Sequence, residues 1–209
     1  MDIDLRVLEL AASKICHDLI SPIGAVNNGL ELMEDEQDSA LQTEALALAQ
    51  RSARRASILL QLYRSLFGSA GNQASFGPKE AAQLAFESLQ GGKVGLDADL
   101  AAVSNAPDGF GKLLLAAILV TAETLPRGGT VLALLEPGAR APHLRLTGSG
   151  PQIACSDEIL QALSQKLPLA DLSAHSVLAY FTALLARRFG LSCRGESPAA
   201  GQFTLTIAA

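Results

Sequence analysis

Between Leu5 and Met33 an apolar residue returns every three or four positions: Leu5, Leu8, Ala12, Ile15, Leu19, Ile23, Val26, Leu30 and Met33. At about 100° of rotation per residue, these side chains fall within a helical sector of roughly 80°. The alternating spacing is that of a seam between packed helices. The acidic, polar run EDEQDS (34–39) ends the pattern, so a helix is expected over 3–34, followed by a tight loop. A second stripe, Leu41, Ala45, Leu48, Ser52, Ala56, Leu59, Tyr63 and Leu66, predicts a partner helix over 40–67. Two helices joined this closely make an antiparallel hairpin.

The chain is 49% hydrophobic but only 4% aromatic, with no tryptophan, so small side chains dominate and helices can pack closely. Leu46, Leu60 and Leu62 lie off the second stripe. One hairpin cannot bury both stripes and these extra leucines, so two chains are expected to form a four-helix bundle. Cys16, at the edge of the first seam, reads as an ordinary small core residue.

GSAGNQASFGP (68–78) reads as a linker and divides the chain into a hairpin, 1–68, and a second domain, 69–209. Beyond it helices alternate with strands. Helices are expected over 79–90, 108–125, 156–166 and 174–189. Strands are expected over 93–99, in TVLALLE and PHLRLTG as partners, and in LSCRGES and QFTLTIA. The fold class is therefore mainly α and then α+β, the second domain a sandwich with helices on one face of a mixed sheet.

A formal charge of −5 argues against a nucleic-acid partner. The three cysteines form no CxxC pair and read as reduced cytoplasmic thiols. The N-terminal MDIDLRVLEL carries acids where a signal peptide has basic residues. The longest apolar run, LLLAAILVTA, is too short to span a bilayer. A soluble, cytoplasmic chain without a membrane partner is expected. No HxxxH, HExxH or Cys/His cluster points to a metal, and no GxxxxGK[ST] loop is present. His143 opens a strand, and His175 reads as a helix-cap neighbour.

ICHDLISPIG (15–24) sets a histidine, an acid and a proline inside the first helix. Proline removes a helical hydrogen bond at a cost of ~3 kcal/mol, so Pro22 should bend the helix just after His17. His17 lies about 160° from the centre of the seam, among Ser13, Lys14, Ser21, Gly24, Asn28 and Glu31. A solvated surface histidine satisfies this spacing, and so does a presented functional one. Gly24 costs ~1 kcal/mol in a helix relative to Ala. Close approach of a partner explains it, and so does tolerance. Asp18 can orient the imidazole or bias its protonation. An imidazole suits reversible nucleophilic chemistry near neutral pH.

His17-Asp18-Leu19-Ile20-Ser21-Pro22 resembles the H-box of sensor histidine kinases. The wider HDLISPIGAVNNGLELM resembles the bacterial histidine phosphotransferase ChpT family more closely, and the likeness covers the whole chain. The tail, from LAYFTALLARRFG through AAGQFTLTI, is similar to the end of a kinase ATP-binding domain. The kinase asparagine falls at Ala116, and RLTGSG has Leu146 or Thr147 where the adenine-recognising aspartate belongs. The resemblance thus implies a degenerate ATPase-type sandwich that binds no cofactor.

It further implies that His17 takes a phosphoryl group from the receiver domain of a hybrid histidine kinase. His17 then passes it to the receivers of response regulators, with Mg²⁺ in the receiver and none here. Ser13, Lys14, Ile20, Ser21, Gly24 and Asn28 are the expected docking contacts, with Lys14 facing an acidic receiver pocket. Arg51, Arg54, Arg55 and Arg64 read as a solvated face, receiver contact being the lesser reading. An active histidine kinase and a non-catalytic receiver-binding dimeric adaptor are the alternatives.

Overall fold

A computed structural model of the chain describes residues 4–35, 38–100, 106–137, 142–197 and 199–209. Helix α1 (Leu5–Asp35) continues through Pro22, and α2 (Ser39–Leu66) starts from Asp38, whose side chain accepts the Ala40 N–H at 2.8 Å. The expected loop at 34–39 falls partly outside the described residues. Asp18 meets Tyr63 at one end of the pair, and Gly29 meets Ala45 and Ala49 at the other, so the helices are antiparallel. A Cβ on Gly29 would lie 2.9 Å from the Ala45 carbonyl oxygen, so only glycine permits this approach.

The second stripe is buried as expected at Ala45, Ser52, Leu59, Tyr63 and Leu66, but Leu41 is exposed and Leu62 is buried within the chain. The first stripe differs more. Leu5 is 68% exposed, and Leu8, Ile23 and Leu30 are about half exposed. The buried line on α1 is Val7, Ala11, Pro22 and Gly29, with Lys14, Asp18 and Ala25 partly buried along it. That line lies about 100° around the helix from the apolar seam. The reason is a contact distant in sequence: Val7 and Leu10 pack on Leu172 and Val177, and the Arg6 guanidinium donates to the Leu172 carbonyl at 3.3 Å. Cys16 is likewise exposed rather than a core residue.

The second domain contains α3 (Pro78–Leu89), β1 (Val94–Asp99), α4 (Phe110–Glu123), β2 (Gly129–Glu136), β3 (His143–Ser149), α5 (Asp157–Leu163), α6 (Val177–Arg188), β4 (Ser192–Glu196) and β5 (Gln202–Ala208). The sheet order is β1-β2-β3-β5-β4, with β1 parallel to β2 and the other pairs antiparallel. The expected helix over 156–166 is shorter because Gln165 adopts a left-handed φ of 55°. The one expected over 174–189 starts later because a turn from Ser173 to Ser176 precedes it.

Helix α4 is apolar all round and is buried from Phe110 through Ile118. Its core is continuous with the end of α2: Leu59, Leu62, Tyr63 and Leu66 belong to the same cluster as Leu113, Leu146 and Phe203. One core therefore crosses residue 68. The 68–78 segment is not a free tether. It contains a 3-10 turn, Ala70–Asn72, and the Lys112 ammonium donates to the Gly68 carbonyl at 2.8 Å. A Cβ on Gly71 would fall 2.1 Å from the Ser65 carbonyl oxygen, so that turn packs directly against α2.

Candidate functional site

Helix α1 carries three faces: a buried line, an uncovered apolar seam and a polar face. His17 stands on the polar face with 88% of its side chain exposed. Ser13, Ile20, Ser21 and Asn28 are exposed around it. A Cβ on Gly24 would meet nothing within 4 Å, so the space beside it is open. Pro22 is buried against α2, so the residue expected to bend the helix also packs it.

Asp18 joins the polar face to the interior. Its Oδ1 lies 3.0 Å from His17 Nδ1. Its Oδ2 accepts the Tyr63 hydroxyl and lies 3.8 Å from the Lys14 ammonium. Partial burial works to raise the Asp18 pKa. The hydrogen bonds from His17 and Tyr63, together with the charge of Lys14, outweigh it and hold the carboxyl below the usual aspartate range. Burial and the Asp18 bond together push the Tyr63 phenol far above the ordinary tyrosine range, so it remains a donor.

Lys14 does not face outward as expected. Only 17% of its side chain is exposed, and its ammonium sits 2.7 Å from Glu123 at the end of α4. Burial opposes its charge, but Glu123 and Asp18 prevail and raise its pKa. Neighbouring atoms crowd the Glu123 carboxylate and work against its ionised form. With 39% of that side chain still in water, solvation and Lys14 together keep it an acceptor.

An open concavity of about 610 Å³ runs beside His17 between the two helices. His17, Asp18, Ser21 and Pro22 line one wall, and Arg51 and Arg55 the other. The Arg55 guanidinium donates to the Ser88 carbonyl and is fixed there, whereas no ion pair holds Arg51 among the described residues. Arg51, Arg54, Arg55 and Arg64 are all exposed, as expected of a solvated face, and two of them, Arg51 and Arg55, share the concavity with His17. Tyr63 and Glu123 were not legible as site residues. Tyr63 occupies an ordinary stripe position, and the contacts of both with α1 arise only on folding. Among the described residues, no group of three His, Cys, Asp or Glu side chains could hold a metal ion, and no helix is long and apolar enough to cross a membrane.

The site is thus an outward imidazole, backed by a carboxylate, on a helical hairpin that packs against an α+β sandwich. The family description "Histidine phosphotransferase C-terminal domain" matches residues 78–200. The protein phosphotransferase ChpT of Brucella abortus (strain 2308) is 36% identical over 195 residues, covering 91% of each chain. A bacterial phosphotransferase solved at 1.7 Å is 33% identical and superposes with a TM-score of 0.82, over 99% of this chain and 98% of that one. The histidine kinase AdeS of Acinetobacter baumannii is 16% identical with a TM-score of 0.46, over 92% of this chain and 97% of that one. The chain belongs to the ChpT family of histidine phosphotransferases.

Proposed function

We propose that this protein is a phosphorelay intermediate in which His17 carries the phosphoryl group between receiver domains. The observation that carries the reading is the outward, carboxylate-backed imidazole of His17. An ionised Asp18 can only accept, so Nδ1 holds the ring hydrogen and Nε2 presents its lone pair to solvent. Nε2 attacks the phosphorus of an aspartyl phosphate, and the bond from phosphorus to the aspartyl oxygen breaks. Its electron pair leaves on the receiver carboxylate. The ring becomes an N-phosphorylated imidazolium whose Nδ1–H charge is balanced by Asp18. The same steps in reverse deliver the group to a second receiver.

Transfer of this kind depends on alignment and charge neutralisation more than on covalent chemistry by the carrier. Mg²⁺ belongs to the receiver in this scheme, and this chain supplies a positioned imidazole and a docking surface. Ser13, Ile20, Ser21, Gly24 and Asn28 form that surface, with Arg51 across the concavity. The exposed seam of Leu5, Leu8, Ile23 and Leu30 is covered by a second copy in a four-helix bundle. Three unpaired cysteines suit a reducing cytoplasm. Ala116, which the resemblance sets at the kinase asparagine position, is fully buried, and this supports a carrier without autokinase activity.

The test uses wild type and His17→Ala, each given a ³²P-phosphorylated receiver domain or [γ-³²P]ATP alone. Label passing only from the receiver, and only to wild type, is expected. Label from ATP would establish a kinase, and no label from either source would leave an adaptor.

A further inference from the structure

We propose that Tyr63 is a positioning residue for phosphoryl transfer: with Lys14 it fixes Asp18, so that Asp18 in turn holds the His17 ring with Nε2 outward. This inference rests on the phosphocarrier reading of His17 and assigns a role to the second helix in it. The two carboxylate oxygens of Asp18 are divided between two tasks. Oδ2 is taken by the Tyr63 hydroxyl and approached by Lys14, while Oδ1 alone is left for His17 Nδ1 at 3.0 Å. A carboxylate on a single rotatable side chain would otherwise offer either oxygen in several orientations. One donor and a nearby ammonium on the same oxygen remove that freedom, and the orientation passes to the ring.

Both groups are themselves held. Tyr63 is 5% exposed, and its ring stacks on Phe67 with centroids 5.9 Å apart. Lys14 is anchored 2.7 Å from Glu123 on α4. A cavity of about 210 Å³ lies behind this group, lined by Lys14, Asp18, Arg55, Tyr63 and Glu123. The exposed histidine is thus connected, through Asp18 and then Lys14, to the helix at the centre of the second domain. Docking of that domain onto α1 therefore contributes directly to presenting Nε2. Solvent exposure of His17 alone would leave its ring free to turn. The hydrogen bond from Tyr63 makes orientation a property of the fold.

Tyr63→Phe removes only the hydroxyl and leaves the stacked ring, so the fold should survive. Transfer from a ³²P-loaded receiver domain of a hybrid histidine kinase should slow about tenfold, the usual scale for losing one hydrogen bond to a charged group. Because Tyr63 acts through Asp18, the same substitution in an Asp18→Asn background should slow transfer no further. Nitrogen NMR of the free protein adds a readout that packing alone would not move. The wild-type His17 ring should show a single Nδ1–H tautomer, and Tyr63→Phe should show a mixture. Unchanged transfer in Tyr63→Phe, an equal loss in the Asp18→Asn background, or an unchanged tautomer would each overturn the positioning role. Failure of wild type to accept label would instead overturn the phosphocarrier reading, and the tautomer measurement would still decide whether Tyr63 orients the ring.

Discussion

Helices α1 and α4 meet the burial problem in opposite ways. Every residue of α4 from Phe110 to Ile118 is buried, including Lys112, whose ammonium donates to the Gly68 carbonyl. Helix α1 buries one line, leaves a seam of large aliphatic residues in water and turns its third face to the site. The core of the second domain takes in the end of α2, whereas the apolar seam of α1 has no covering surface. A surface helix with an uncovered apolar stripe needs a further surface, whereas a central helix has no side left for one. His17 is placed on the helix that still has free faces.

The contrast is tested most severely by leucines on each helix. Leu114→Ala should cost about 2–5 kcal/mol in urea denaturation, because it opens a cavity in a closed core. Leu30→Asp should leave the circular dichroism spectrum intact and shift sedimentation from a two-chain to a one-chain species. Unfolding by both substitutions would erase the distinction between the helices. Gly71→Ala probes the junction between the two parts. Its Cβ would collide with the Ser65 carbonyl, so a loss of about 1–3 kcal/mol is expected in the same denaturation assay.

Asp18 gives a pH signature to the hairpin side. Its folded pKa lies below the ordinary aspartate value, so its contribution is present above about pH 4 and disappears as pH falls through the folded pKa. Wild type should therefore lose more stability than Asp18→Asn between about pH 5 and pH 3, as measured by thermal melts across that range. The smallest effect is expected at Gly24, where space is open. Gly24→Ala should raise stability by about 0.5–1 kcal/mol while slowing transfer from a receiver. A rise in stability with unchanged transfer would mean that the clearing beside His17 serves no partner.

Element by element, the fold was readable because periodicities of two and 3.6 are local properties. Strands β1 to β5 and helices α1 to α6 all appear at or near their expected places. The face that α1 buries was not readable. Leu5, Leu8, Ile23 and Leu30 form the most regular apolar line, yet docking of Leu172 and Val177 onto Val7 and Leu10 selects another one. The outward placement of His17 survives this change, because it lies away from both lines. Lys14 illustrates the opposite case: its helical position placed it beside His17, but an acceptor more than a hundred residues away, Glu123, turns it inward. Tyr63 was placed on the correct stripe, although only its phenolic oxygen, reaching Asp18, reveals a role beyond packing.

The closed interior around Ala116 also selects against polar side chains. Ala116 has no accessible surface and lies among Leu113, Leu115 and Ile118 on an apolar helix. An asparagine at that position would bring a carboxamide with no water beside it, at about 1–3 kcal/mol for each unmet polar group. Packing alone therefore disfavours asparagine at residue 116.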